Sequence, residues 1–153
     1  MKTVKVDKDK LLELTADALG KVAYRLGAKP NLRLMPGDKG FKVSDCSGWV
    51  RWLLARVTDP PVTIGLGSWY QQEWAKAQGF KRTGYAANAG WADNRLRLAF
   101  IDAQGSKVGH VWLLLNGHTI ECAGGKGVCR RPWDTKTLKD KVDACYVLTD
   151  PML

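Results

Sequence analysis

The chain has 153 residues, with 24 Lys and Arg against 15 Asp and Glu for a formal net charge of +9. That length bounds it to a single domain over residues 1–153, and 45% apolar with 25% charged residues supplies a core unaided, which excludes intrinsic disorder, a collagen-like chain and a disulfide scaffold. The longest apolar run, residues 111–115, falls far short of the roughly 20 residues that span a bilayer, so a soluble protein without membrane insertion is expected.

Lys2 and Lys5 supply the basic charge that opens a secretion signal, but Glu13 and Asp17 interrupt residues 11–19, where an unbroken apolar centre is needed. The expectation is a mature fragment, or a protein made in the cytoplasm that leaves its cell by some route other than a cleaved signal. In residues 9–26, Leu11, Leu12, Thr15, Leu19, Val22, Ala23 and Leu26 recur at steps of three and four. This predicts an amphipathic helix capped by Asp7 or Asp9 and ended by Gly27. Residues 29–42, with Pro30, Pro36, Gly37 and Gly40 among basic residues, read as an exposed connecting loop. A second helix is predicted over Cys46–Val57, with Trp49 or Val50, Leu53, Leu54 and Val57 buried and Ser44 or Asp45 as its cap. Pro60 and Pro61 stop it, and a third helix runs over Ser68–Ala77 to a stop near Gly79. Residues 83–93 are loop-like, and strands follow at 96–101, 108–115, His118–Ala123 and 144–148. Helices first and strands after give an α+β class, with N-terminal helices packed on a mostly antiparallel β-sheet.

Asn116-Gly117 between two strands favours a two-residue type I′ turn, which fixes a register. Leu115 then pairs with His118, Leu113 with Ile120, Trp112 with Glu121, Val111 with Cys122 and His110 with Ala123. Opposed residues share a face and neighbours along a strand alternate. His110, Trp112, Glu121 and Ala123 therefore lie on one face, and Val111, Leu113, Leu115, His118, Ile120 and Cys122 on the other. His110 and Glu121 become diagonal neighbours, near enough for a carboxylate to approach an imidazole.

The chain has only two histidines, and His118 sits at the turn beside aliphatic residues, so His110 is the candidate imidazole. Cys46 opens a predicted helix, where free N–H groups and the dipole favour a thiolate and the residue's own N–H is a ready oxyanion donor. Taken singly, Cys46 reads as a small buried hydrophobe and Glu121 as a solvated strand residue. Together Cys46, His110 and Glu121 form a complete set for acyl transfer.

Asp45-Cys46-Ser47-Gly48-Trp49-Val50 resembles the nucleophile motif of the NlpC/P60 family of cell-wall cysteine peptidases, and Gly109-His110-Val111 with the following Asn116-Gly117 resembles its histidine motif. Upstream, Gly20 and Tyr24-Arg25-Leu26-Gly27 are similar to the Gly-x-x-Tyr-x-x-Gly segment before the nucleophile. The resemblance covers residues 11–133. It implies a papain-like α+β core, with Cys46 on a helix against the sheet that carries His110. Glu121 matches the third polar position, one residue off the usual spacing and in place of the more usual histidine. Tyr24, Asp45 and Ser47 match positions that line the pocket for the substrate's peptide stem, Trp112 is placed near the cleft on the His110 face, and the long 29–42 insertion is placed to shape specificity. Bacterial peptidoglycan is the implied substrate, most often at the bond between γ-D-Glu and the diamino acid and less often at the amide joining muramic acid to L-Ala, with no cofactor and no metal.

The charge of +9 suits an anionic polymer, yet the basic residues are scattered and only Arg130-Arg131 adjoin, so nucleic acid is not expected as a partner. Most of the seven tryptophans are expected in the core. Cys122 and Cys129 flank a Gly-rich turn and are expected as free buried thiols; a local disulfide, or a metal site with His118 and Cys145, is the alternative. The expected agent is a monomeric phage lysin that acts on the cell wall or in the periplasm. The rivals are an interbacterial toxin of the same chemistry with an immunity protein, a silent wall-binding domain, and an acyl transferase.

Overall fold

The computed structural model describes residues 2–85, 92–102 and 109–150. Trp91, residues 86–91 of the expected 83–93 loop and residue 108 of an expected strand lie outside the described residues. Four helices are described: α1 (Lys8–Ala18), α2 (Cys46–Val57), α3 (Ser68–Ala77) and α4 (Lys136–Lys141). The main sheet holds β5 (Lys81–Arg82), β6 (Arg97–Ile101), β7 (His110–Leu115), β8 (His118–Ala123), β9 (Gly127–Cys129) and β10 (Ala144–Val147). Its order is β5-β10-β6-β7-β8-β9 and each neighbouring pair is antiparallel. Two small pairs accompany it: β1 (Lys5–Val6) runs antiparallel to β4 (Thr58–Asp59), and β2 (Ala23–Tyr24) runs parallel to β3 (Val43–Ser44). The class is α+β with a mostly antiparallel sheet.

The turn between β7 and β8 is the one the Asn-Gly pair predicts, with φ of 50° at Asn116 and 82° at Gly117, both positive as a type I′ turn requires. Leu113 pairs with Ile120 and Leu115 with His118. The faces separate accordingly. Val111, Leu113, Ile120 and Cys122 join Trp49, Leu53 and Leu11 in the main core beneath α2, while Trp112 and Leu114 join Tyr85, Ala99, Cys145 and Leu138 of α4 in a second core on the opposite face.

The first helix is shorter than its periodicity predicts. Asp7 caps it, its carboxylate accepting from Lys10 N at 3.0 Å, but it ends at Ala18. Gly20 takes φ of 78°, and the chain then forms β2. Leu19 and Leu26, expected on a buried stripe, are 47% and 62% exposed. The 29–42 segment is irregular as expected but is not simply an exposed connector. Phe41 is fully buried edge-on to Trp52 with ring centres 5.3 Å apart, and Trp52 Nε1 donates to Leu34 O at 2.8 Å. Helix α2 thus fastens the segment through its own tryptophan. Among the tryptophans, Trp49, Trp52 and Trp112 are fully buried, whereas Trp69 is 62% exposed. No described helix is long and apolar enough to cross a membrane.

Candidate active site

Helix α2 places Cys46 at its first position because Asp45 caps it: the Asp45 Oδ1 accepts from Gly48 N at 2.8 Å. The preceding loop closes against this cap, with Asp45 N donating to Ala28 O at 2.9 Å and Gly27 N to Asp45 Oδ2 at 3.2 Å. Gly48 permits that approach. A Cβ there would stand 2.9 Å from Ala28 O and 3.0 Å from Pro30 Cδ. At the first helical position the Cys46 N–H has no intrahelical acceptor, which keeps a donor free beside its sulfur.

His110 opens β7 and Glu121 lies on β8, on one face as the register requires. His110 Nε2 stands 2.9 Å from Glu121 Oε1, which leaves Nδ1 for Cys46. The imidazole stacks on Trp112, ring centres 5.3 Å apart. Burial alone lowers the basicity of His110, but hydrogen bonds to Cys46 and then to Glu121 outweigh it and push its pKa up to about 9. Glu121 has no exposed surface. Burial raises its pKa, yet hydrogen bonds from Arg131, His110 and Thr119 hold it down to about 2. A buried carboxylate of that kind orients an imidazole and stabilises its charged form.

Arg131 is the residue that sequence reasoning misses, noted there only as half of a basic pair. Its Nε donates to Glu121 Oε2 at 2.9 Å and its Nη2 to Glu121 Oε1 at 2.6 Å, a two-pronged clamp. Its backbone is anchored as well, with Arg131 N donating to Thr119 Oγ1 at 2.8 Å. No sequence signal marked it, because β9 is too short to be predicted; in the structure Cys129 on β9 pairs with Glu121, and the residue two further on points to the same face.

The other expected site residues divide. Tyr24 is half-buried near both Cys46 and Asp45, whose charges, after burial, raise its phenol pKa. Asp45 and Ser47 are buried and already engaged, Asp45 in an ion pair with Lys29 and Ser47 Oγ accepting from Lys29 Nζ at 2.6 Å. Trp112 has no exposed surface, so it floors the imidazole instead of lining an open cleft. His118 is exposed at the turn. All four cysteines are free thiols. Cys122, pushed up to about 12 mainly by burial, lies in the main core with its Sγ donating to Ser44 O at 3.3 Å. Among the described residues no group of three or more His, Cys, Asp or Glu is arranged to hold a metal.

No protein-family model and no curated protein matches the chain. Among solved structures, it is similar to one described as similar to a lipoprotein of the NLP/P60 family from Staphylococcus aureus subsp. aureus Mu50. The TM-score is 0.57 at 14% sequence identity, over 91% of this chain and 40% of that one. The likeness is one of fold, an NlpC/P60-like α+β fold, and the chain spans two-fifths of the length of that neighbour.

Proposed function

We propose that the chain is a cysteine amidase that hydrolyses an amide bond in the stem peptide of bacterial peptidoglycan, the bond between γ-D-Glu and the diamino acid, and that it acts on the cell wall as a lysin. The observation that carries this reading is the contact of His110 with both Cys46 and the buried Glu121, on a fold similar to that of an NLP/P60 lipoprotein.

His110 Nδ1 takes the Cys46 proton while Glu121 holds Nε2, so the ring is fixed in one orientation and stabilised as imidazolium. The sulfur attacks the amide carbon, and the oxygen gathers charge beside the Cys46 N–H. The C–N bond breaks as His110 Nδ1 protonates the leaving amine, and a thioester remains. Water, giving its proton to the now neutral His110, attacks that thioester; the C–S bond breaks and the carboxylic acid leaves. Because Arg131 neutralises Glu121, the carboxylate stays ionised throughout and acts as a support, taking no proton.

Digestion of purified peptidoglycan followed by mass spectrometry of the soluble fraction tests the proposal. Wild type releases muropeptides whose new termini are γ-D-Glu and the amine of the diamino acid, and Cys46→Ala releases none. Release by both proteins, or by neither across walls of several chemotypes, overturns it.

A further inference from the structure

The Asp45 carboxylate is the anionic group nearest the nucleophile in sequence, and it is spent inside the protein. It caps Gly48 N at 2.8 Å, accepts from Gly27 N at 3.2 Å and from the Ser47 hydroxyl at 3.3 Å, and ion-pairs with Lys29. Ser47 Oγ in turn accepts from Lys29 Nζ at 2.6 Å. The two ends of the ion pair differ in access, the Asp45 side chain being 4% exposed and that of Lys29 25%. Lys29 therefore reaches in from the start of the 29–42 segment and covers the carboxylate. Lys29 is thus the more accessible member of the pair, and its ammonium meets a hydroxyl one residue from Cys46. An ammonium carries three N–H donors; Asp45 and Ser47 occupy two. This flank of the site thus leaves one ammonium donor for a ligand.

We infer that Lys29 is a specificity-determining residue: its ammonium, and not the Asp45 carboxylate, meets the substrate beside Cys46, and it selects a peptide bearing a carboxylate next to the scissile amide over one bearing a free amine there. The inference rests on the reading of Cys46 as nucleophile. It reassigns Asp45 and Ser47 from substrate contacts to the support of Lys29.

Iodoacetate and iodoacetamide test it, since both alkylate a thiolate with loss of iodide and differ by a carboxylate against a carboxamide. The rates of labelling at Cys46 are followed by peptide mapping in wild type, Lys29→Met and Lys29→Arg, with folding checked by circular dichroism. The iodoacetate-to-iodoacetamide ratio at Cys46 falls about threefold or more in Lys29→Met and is retained in Lys29→Arg, while the ratio at Cys129 stays the same. An unchanged ratio at Cys46 in folded Lys29→Met overturns the inference. Inertness of Cys46 to both reagents in wild type overturns it too, because a cleft closed to two-carbon reagents has no room for a carboxylate ligand. A ratio that falls as expected in a protein that digests no wall supports Lys29 and contradicts only the hydrolase reading.

Discussion

Glu121 sits between an imidazole and a guanidinium with none of its surface exposed. Its pKa is lowered from 4.5 to about 2, so the stabilisation this carboxylate contributes is complete above its unfolded value and is lost as pH falls through the folded one. The shift corresponds to on the order of 3 kcal/mol. His110 works in the opposite direction: with its pKa raised from 6.5 to about 9, its contribution is complete below 6.5 and is lost as pH rises through 9. Urea unfolding between pH 4.5 and pH 2 should therefore show wild type losing stability steeply and Glu121→Gln losing markedly less; equal slopes would contradict the ionised, clamped carboxylate. At this scale the sequence disclosed the His110–Glu121 contact because one turn set one register. It did not disclose Arg131 or Lys29, whose side chains reach the site from segments with no periodic pattern. Trp112 was assigned to the correct face, but parity says nothing of depth, and the second core buries it.

The N-terminus of α2 is the element that makes the site, and its glycine is a steric requirement. Gly48→Ala would bring a Cβ within 2.9 Å of Ala28 O and 3.0 Å of Asp45 Oδ1, so either the 25–30 loop or the cap must shift. The expected cost is about 1–3 kcal/mol, measured by urea denaturation. Gly124→Ala, where a Cβ meets nothing within 4 Å, is the matched control and should change stability by less than roughly 0.5 kcal/mol. Equal effects would refute the close approach. Helices α2 and α3 have the bounds their sequences predict: in α2 a cap, an apolar stripe and a Pro stop all agree, while α3, which has no side-chain cap, is bounded by Ser68 and the Gly79 stop. The first helix does not, since Leu19, Val22, Ala23 and Leu26 happen to continue its spacing after Gly20 has turned the chain. The two-residue strands and α4 are too short to carry a pattern; tertiary pairing makes them.

For the molecule as a whole, the sheet has apolar residues on both faces, one core under α2 and a second closed by Leu138 of α4 and Tyr85. The order of helices then strands made the α+β class legible, but the second core was not, because it draws on residues far apart in the chain. This architecture holds Cys46 and His110 on different elements, α2 and β7, which pack against each other, so their contact depends on the whole fold. The direct measurement is timed labelling with iodoacetamide at pH 6, with all four cysteines mapped in wild type and His110→Ala. Exposure alone would favour Cys129, which is half-buried, over Cys46, which is 5% exposed. A nucleophile activated by His110 reverses that order: Cys46 labels first, about tenfold or more ahead of Cys129, and loses the lead in His110→Ala. Labelling of Cys46 no faster than Cys129 in wild type, or a lead that survives His110→Ala, would contradict the account.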